Sequence, residues 1–213
     1  MITSIPQSAI DLILEDEGLD QPWDWPGGGS GITLGFGCDI GADPISLEYW
    51  RGVLPDDQMI TLAQAKGITG QSAKQIQTRF QGITVTRPQA LRVFLCQTVP
   101  VEIRKALRAF PGLEFMPPEV IGAMVSLVYN RGTDTDPNNP RRHEMLIISQ
   151  ILAEFGSMSP VQQASVRFEY ISKIALQFRK MKRLWVGQGL DGLLARRDAE
   201  ADLCLSSLQT TLS

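Results

Sequence analysis

The chain has 213 residues, which is enough for one domain with a single core or a core divided between two lobes. It is 43% apolar and 20% charged, as expected for a globular protein. Its net charge at pH 7 is -3. Because nucleic-acid-binding proteins carry a basic surface, DNA and RNA are not expected as partners.

The cysteines and the single histidine exclude two further classes of site. Cys38, Cys96 and Cys204 are odd in number and show no CxxC spacing, which predicts free structural thiols. The only histidine, His143, rules out a multi-histidine metal centre and is expected at the surface or at a helix start. The first residues lack a basic segment followed by a long apolar run, so we expect synthesis in the cytoplasm without a signal peptide. No stretch reaches the roughly 18 apolar residues of a membrane span, so no membrane insertion is expected.

Three helix starts are indicated by a serine or threonine that is followed three positions later by glutamine. These capping-box patterns begin at Ser4, Thr86 and Ser159. The first predicted helix ends near Glu17 and Gly18, because glycine commonly terminates helices. Glu17 is therefore expected at a helix end, beside apolar side chains.

The segment from Gly18 to about Gly41 has a different character, rich in glycine and acidic residues. Within it, "GITLGFG" alternates apolar residues with threonine and glycine, which is the period of a β-strand. We expect a small hairpin or three-stranded sheet here, with Thr33 on the face opposite Ile32 and Leu34. The glycines, among them Gly35, leave backbone open to close approach by a ligand.

Helices are predicted to dominate the remainder. A long helix from Pro88 to about Phe110 is expected to bend or break at Pro100. The nearly continuous apolar run "VIGAMVSLVYN" predicts a helix buried at the domain centre. The loop "RGTDTDPNNP" lacks the glycine and glutamate of a calcium site, and no metal or cofactor is expected. The predicted fold is α+β, with a small β-containing lobe at about 15–60 packed against a helical lobe at about 61–213. The other predicted helices are one or more short ones within 58–72, and single helices at about 142–155, 160–182 and 193–208.

Four polar residues of the glycine-rich segment suit the hydrolysis of a glycosidic bond. That reaction needs a proton donor and a second group that activates water or stabilises positive charge. Glu17, at the apolar end of a helix, is the candidate donor, since burial favours the protonated carboxyl. Asp39, just past the strand, can remain ionised in a wetter setting, and Thr33 can hold a water. Asp24 is the fourth polar residue of the group. The alternatives remain open: Glu17 as a cap or salt-bridge partner, and Asp39 in an Asx turn.

Two tryptophans of the same segment offer flat surface for sugar rings. Trp23 and Trp25 are both amphipathic side chains of the kind that stacks on sugars, although packing of one of them inside the protein is an equal alternative.

Three separated motifs resemble one family in the same order. "EG" followed by "SGITLGFG" is similar to a signature of phage-type lysozymes, glycoside hydrolase family 24. "MVSLVYNRG" resembles the central-helix motif of those enzymes, and "GLLARRDAEADL" resembles their C-terminal stretch. "WPGGGSGITLGFGCDIG" and "RRHEM" look especially like the pesticin-like branch of lysozymes.

The resemblance implies a lysozyme-like fold and a muramidase that cleaves the glycan strand of peptidoglycan. The family's catalytic glutamate matches Glu17 and its threonine matches Thr33. The phage enzymes place an aspartate six residues before the threonine, where this chain has Gly27. The pesticin-like pattern places it six residues after, which is Asp39, with Asp24 as the reserve candidate.

The resemblance also implies substrate contacts and a biological setting. Asn130 matches the asparagine of the family's cleft turn, where it either holds the cleft backbone or contacts substrate. We expect Trp23, Gly35 and Phe36 to contact the glycan. The protein is expected to act as a monomer on the cell wall in the periplasm, as an endolysin released through a holin or as an antibacterial effector exported by a secretion machine and neutralised by an immunity protein. Two alternatives are a lysozyme-fold module that only binds cell-wall glycan, and a hydrolase of chitin-type glycans.

The basic residues allow a structural and a binding interpretation. Arg196, Arg197 and Glu200 lie at helical spacing, which favours ion pairing within the fold. A second basic group, including Arg141 and Arg142, can attract anionic cell wall, or can simply form a solvated helix surface. Its other members are Lys180, Lys182 and Arg183.

Overall fold

The computed structural model describes residues 4–15 and 17–209. The protein is mostly helical, at 65%, and the sheet found among the described residues has two antiparallel strands. This content of helix and strand is compatible with the α+β class predicted from the sequence. In chain order the elements are α1 (Gln7–Leu14), β1 (Thr33–Leu34), β2 (Cys38–Asp39), α2 (Asp56–Leu62), α3 (Gly70–Ile76), α4 (Arg87–Val93), α5 (Val99–Ala109), α6 (Pro118–Arg131), α7 (His143–Gly156), α8 (Pro160–Met181) and α9 (Asp191–Ser206).

The described chain divides into two compact units. Residues 17–99 form the hairpin unit, which holds β1, β2 and α2 to α4. It extends beyond residue 60, where the predicted small lobe ended. The remaining described residues form the helical unit, with α1 and the helices from α5 onward.

Two of the three predicted capping boxes are confirmed. The Thr86 hydroxyl accepts from the Gln89 amide at the start of α4, and the glutamine side chain accepts from the Thr86 amide in return. Ser159 and Gln162 make the same exchange at α8. The box predicted at Ser4 is wrong, because Pro6 caps α1 without a side-chain hydrogen bond. The Pro6 carbonyl accepts from the amides of Ala9 and Ile10.

The long helix predicted from Pro88 is interrupted at the expected place. One turn of π-helix, Phe94–Thr98, separates α4 from α5. Proline lacks an amide proton, and its ring clashes with the carbonyl four residues earlier. Pro100 thus explains the wider turn, since a π-helical turn removes that clash.

The helical unit is built around α6, as its apolar sequence predicts. Every residue from Val120 to Val128 is buried, and α6 packs against α1 and α9. The long α8 packs against α7 and α9 and completes the bundle. His143 is exposed and begins α7, as expected. Within the described ranges, each helix is too short or too polar to cross a membrane.

The spacing of the charges on α9 correctly predicts ion pairing. Glu200 lies 2.7 Å from the Arg197 guanidinium and 3.8 Å from that of Arg196. The Ser126 hydroxyl of α6 donates to the same carboxylate oxygen at 2.7 Å. The pair of Arg197 and Glu200 is fully buried and ties α9 to the central helix.

Candidate active site

A very short hairpin brings three polar residues together, namely Thr33, Asp39 and Asp20. Thr33 pairs with Asp39 across β1 and β2, so the two side chains leave the same face of the sheet. Asp20 joins this structure through an isolated bridge to Gly35, with amide-to-carbonyl distances of 2.8 and 2.9 Å. The Thr33 hydroxyl is buried and makes one long hydrogen bond, 3.4 Å, to the Gly31 carbonyl.

The Asp39 side chain accepts hydrogen bonds from the backbone at both ends of the hairpin. Its Oδ1 accepts from the amides of Gly41 and Ala42, at 3.0 and 2.9 Å, and its Oδ2 accepts from the Gly31 amide at 2.9 Å. The bond to Gly41 is the Asx turn that the sequence offered as an alternative. An ionised carboxylate has about four acceptor positions, so the three amides leave about one position of Asp39 for a water or a substrate.

Gly31 is required for this arrangement. A Cβ added at Gly31 would lie 2.4 Å from Asp39 Oδ1 and 2.5 Å from the Gly41 Cα. The backbones can therefore approach this closely only because Gly31 has no side chain. The glycine-rich composition of the loop is explained in part by the packing of the hairpin on itself.

Asp20 is a candidate site residue that the sequence did not single out. Burial raises the pKa of Asp20, the hydrogen bond from the Gly37 amide at 3.1 Å opposes this, and the nearby charges of Asp24 and Asp39 raise it further. Its Oδ1 receives no hydrogen bond from the described residues. No local pattern marks Asp20, because its environment depends on a bridge to a residue fifteen positions along the chain.

Glu17 lies in the irregular segment that leads to this bridge. The prediction that α1 reaches Glu17 is wrong, because the helix ends at Leu14. Glu17 is half-buried and stands three residues before Asp20. Glu17 therefore belongs to the same loop as Asp20 and Asp39.

The two tryptophans have different surroundings. The indole N–H of Trp25 donates to the Ser30 carbonyl at 2.8 Å, and Lys74 lies 5.7 Å from the centre of its ring. Trp23 is 40% exposed. Of the two, Trp23 has the ring surface available for stacking on a sugar.

Gly35 and Phe36 are both buried. A Cβ at Gly35 would lie 2.9 Å from the Trp50 ring and 3.0 Å from the Ala90 Cβ. The Phe36 ring packs edge-on against Phe94, with 5.9 Å between centroids. Their side-chain positions are occupied by packing, so a ligand contact at either residue has to be made by the backbone.

Asn130 lies in the helical unit. It is exposed in the last turn of α6 and lines a cavity of about 320 Å³ together with Arg131, Arg141 and Trp185. The other predicted residues, Glu17, Trp23, Thr33, Gly35, Phe36 and Asp39, all belong to the hairpin unit. No family model matches the chain, and no match to it was found among curated proteins.

The two acidic residues of the hairpin, Asp20 and Asp39, can take different roles in acid–base catalysis. A carboxyl group with a raised pKa, as at Asp20, favours the protonated form, whereas Asp39 is surrounded by amide donors. Sites that run both proton donation and charge stabilisation use carboxyl groups in such contrasting environments. The thiol of Cys38 is not suited to nucleophilic work, because burial raises its pKa.

Proposed function

We propose that the protein is a muramidase, a glycoside hydrolase that cleaves the glycan strand of peptidoglycan. The observation that carries the proposal is the grouping of Asp20, Thr33 and Asp39 on one hairpin, with Glu17 in the segment leading to it. Glycosidic hydrolysis requires carboxyl groups in contrasting environments around one bond. The lysozyme-like motifs point to Glu17, Thr33 and Asp39 among these residues, but not to Asp20.

Glu17 acts in this proposal as the general acid that protonates the leaving sugar oxygen. Thr33 and Asp39, which are directly opposite each other across the strands, hold the attacking water or stabilise the positive charge on the ring. Asp20 is a second proton donor candidate, because its raised pKa favours the protonated form.

The substrate is proposed to bind along the glycine-rich loop. Trp23 offers its exposed ring to a sugar. The chemistry requires no metal or cofactor. The same glycosidic chemistry applies to chitin, so the assay below includes both polymers.

The decisive experiment measures the release of reducing ends from purified peptidoglycan. Glu17→Gln should lower the rate by about 100-fold or more, because it removes a general acid while keeping the shape of the side chain. Glu15→Gln is the matched control, since Glu15 is an exposed glutamate two residues earlier and should retain full activity. A fully active Glu17→Gln protein would end the proposal.

Two further variants identify the second carboxylate. Asp39→Asn and Asp20→Asn are compared at equal concentrations of folded protein, because both residues also bond the hairpin backbone. If Asp39→Asn keeps activity and Asp20→Asn loses it, the second role passes to Asp20. Soluble chitin oligomers assayed in parallel distinguish a chitinase from a muramidase.

A second candidate is a module that binds cell-wall glycan without cleaving it. The observation that favours it is that Asp39 accepts hydrogen bonds from three backbone amides, which gives this carboxylate a structural role. Co-sedimentation with peptidoglycan, without release of reducing ends, would support this candidate and exclude the hydrolase.

A further inference from the structure

The helical unit contains a small cavity with a strongly cationic lining. It measures about 320 Å³ and is lined by three arginines, Arg131, Arg141 and Arg142, beside Trp185. Arg131 is the last residue of α6, and the other two belong to the short 3-10 helix Pro140–Arg142. The protein as a whole has a net charge of -3, so the cavity lining has the opposite sign to the net charge of the protein.

The side chains of Arg131 and Arg142 are held in place by bonds to backbone carbonyls of the cavity wall. Arg131 donates to the Arg141 carbonyl at 2.6 Å, and Arg142 donates to the Arg131 carbonyl at 2.7 Å. Arg131 also lies over the Trp185 ring, 4.8 Å from its centre. These contacts fix the end of α6 against the 3-10 helix. The cavity wall is therefore organised before any ligand arrives, which lowers the cost of binding.

The positive charge in the cavity wall is only partly neutralised. Asp134 pairs with Arg142 at 3.2 Å, and Glu144, the next acidic group, is bonded to Arg183. Among the described residues, no carboxylate lies within ion-pair distance of Arg131 or Arg141. Two guanidinium groups of the lining therefore make no ion pair, although the Glu144 carboxylate acts on Arg131 at longer range.

Arg131 experiences this imbalance most strongly. Its Nε is buried and has no hydrogen-bond partner among the described residues. Burial lowers the pKa of Arg131 to about 10, and the charges of Arg142, Arg197 and Arg141 act in the same direction. An anion in the cavity would place a negative charge beside the Arg131 guanidinium.

The chemistry of the lining favours a phosphate group. Guanidinium groups present forked N–H donors that match the oxygens of phosphate. A phosphomonoester carries a charge of about -1.5 to -2 near neutral pH, which balances the two unpaired arginines, whereas a carboxylate balances one. A volume of about 320 Å³ is at the small end of ligand pockets, so the occupant is a small molecule.

We propose that this cavity binds the phosphate group of a small phosphorylated ligand, with Arg131 and Arg141 as the principal donors. The site does not depend on glycosidase activity. Arg141 is the residue to alter, because its side chain is exposed and makes no hydrogen bond within the described residues. Arg131 is unsuitable, since it also supports the fold through the Arg141 carbonyl and Trp185.

The test is the unfolding temperature of the whole protein titrated with inorganic phosphate, with glycerol 3-phosphate, and with acetate at equal ionic strength. Binding to the native state raises the unfolding temperature with ligand concentration. Both phosphates should stabilise the wild type more than acetate does. A larger effect of glycerol 3-phosphate would identify a phosphomonoester as the preferred source, and an equal effect would identify free phosphate.

Three variants make the test specific. Arg141→Gln should weaken the apparent phosphate affinity by about tenfold, the loss expected for a charged hydrogen bond. Arg141→Lys should be intermediate, since it keeps the charge without the fork. Arg167→Gln, an exposed arginine of α8 outside the cavity, should bind as the wild type does. Equal stabilisation by acetate and phosphate, or an Arg141→Gln protein that responds like the wild type, would overturn the proposal.

Discussion

The buried ion pair between α9 and α6 gives the most direct test of what stabilises the helical unit. Glu200 is fully buried, and one of its oxygens accepts 2.7 Å bonds from both Ser126 and Arg197. Arg197 is also fully buried, and its Nε and Nη1 have no other partner among the described residues. Replacing Glu200 with glutamine keeps the size of the side chain but leaves the Arg197 charge without a counter-charge.

The expected cost of Glu200→Gln is about 3–5 kcal/mol in the free energy of unfolding, the range for removing one partner of a buried pair. Asp202→Asn is the matched control on the same helix. Asp202 pairs with Arg179 at 2.7 Å, but its side chain is 66% exposed. Exposed pairs contribute about 0–1 kcal/mol, so the two substitutions remove similar contacts with very different burial.

Urea unfolding followed by circular dichroism measures both changes. For a chain of this length, about 1 kcal/mol shifts the unfolding temperature by about 2–4 °C, so a thermal scan should separate the variants clearly. A double variant, Arg197→Met with Glu200→Leu, should recover part of the loss, because it removes both buried charges and leaves apolar side chains in their place.

A cost below about 1 kcal/mol for Glu200→Gln, equal to that of Asp202→Asn, would refute this reasoning. Burial raises the pKa of Glu200, and the attraction of Arg197 and the Ser126 hydrogen bond oppose that change. If burial prevailed, the carboxyl would already be protonated and glutamine would be a close substitute. The stability measurement therefore also reports the charge state of the pair.

Two further predictions concern the hairpin. Asp39→Asn should lower the free energy of unfolding by about 1–3 kcal/mol, because one side-chain oxygen becomes an NH₂ group that cannot accept from the Gly31 or Gly41 amides. Urea unfolding at neutral pH measures this change, and Asp24→Asn, at an exposed aspartate, is the control. Burial raises the pKa of Asp20 above 3.8, so the native state binds the proton more tightly than the unfolded chain does. The stability of the wild type relative to Asp20→Asn should therefore fall as pH rises from below 3.8 through the folded pKa, and a flat or rising difference would contradict the assignment.

Local signals account for the parts of the fold that the sequence predicts well. The capping boxes at Thr86 and Ser159 involve residues three positions apart, and the break before Pro100 follows from one ring. The box at Ser4 failed because Pro6, within the same motif, takes the capping position instead. A local pattern thus predicts a helix start well only where no neighbouring residue competes for it.

The candidate site was predicted less completely because its contacts are not local. The pairing of Asp20 with Gly35 and the third hydrogen bond of Asp39, to Gly31, depend on how the loop folds back. The spacing of Arg197 and Glu200 predicts their ion pair, but the hydrogen bond that Glu200 accepts from Ser126 spans 74 positions. The sequence therefore names acids near the site, while the structure is needed to tell which of them are also structural.

The hairpin is too short to be stabilised by its own ladder, since each strand has two residues and isolated hairpins are marginal even when longer. Side chains supply the missing bonds: Asp39 contributes three, Asp20 contributes one, and Gln21 contributes two to the backbone of Val85. The acids proposed for the chemistry therefore also hold the loop that carries them. A loss of activity on changing Asp39 identifies a catalytic group only if the loss exceeds the fraction of protein that unfolds, so the stability and activity of each hairpin variant have to be measured on the same preparation.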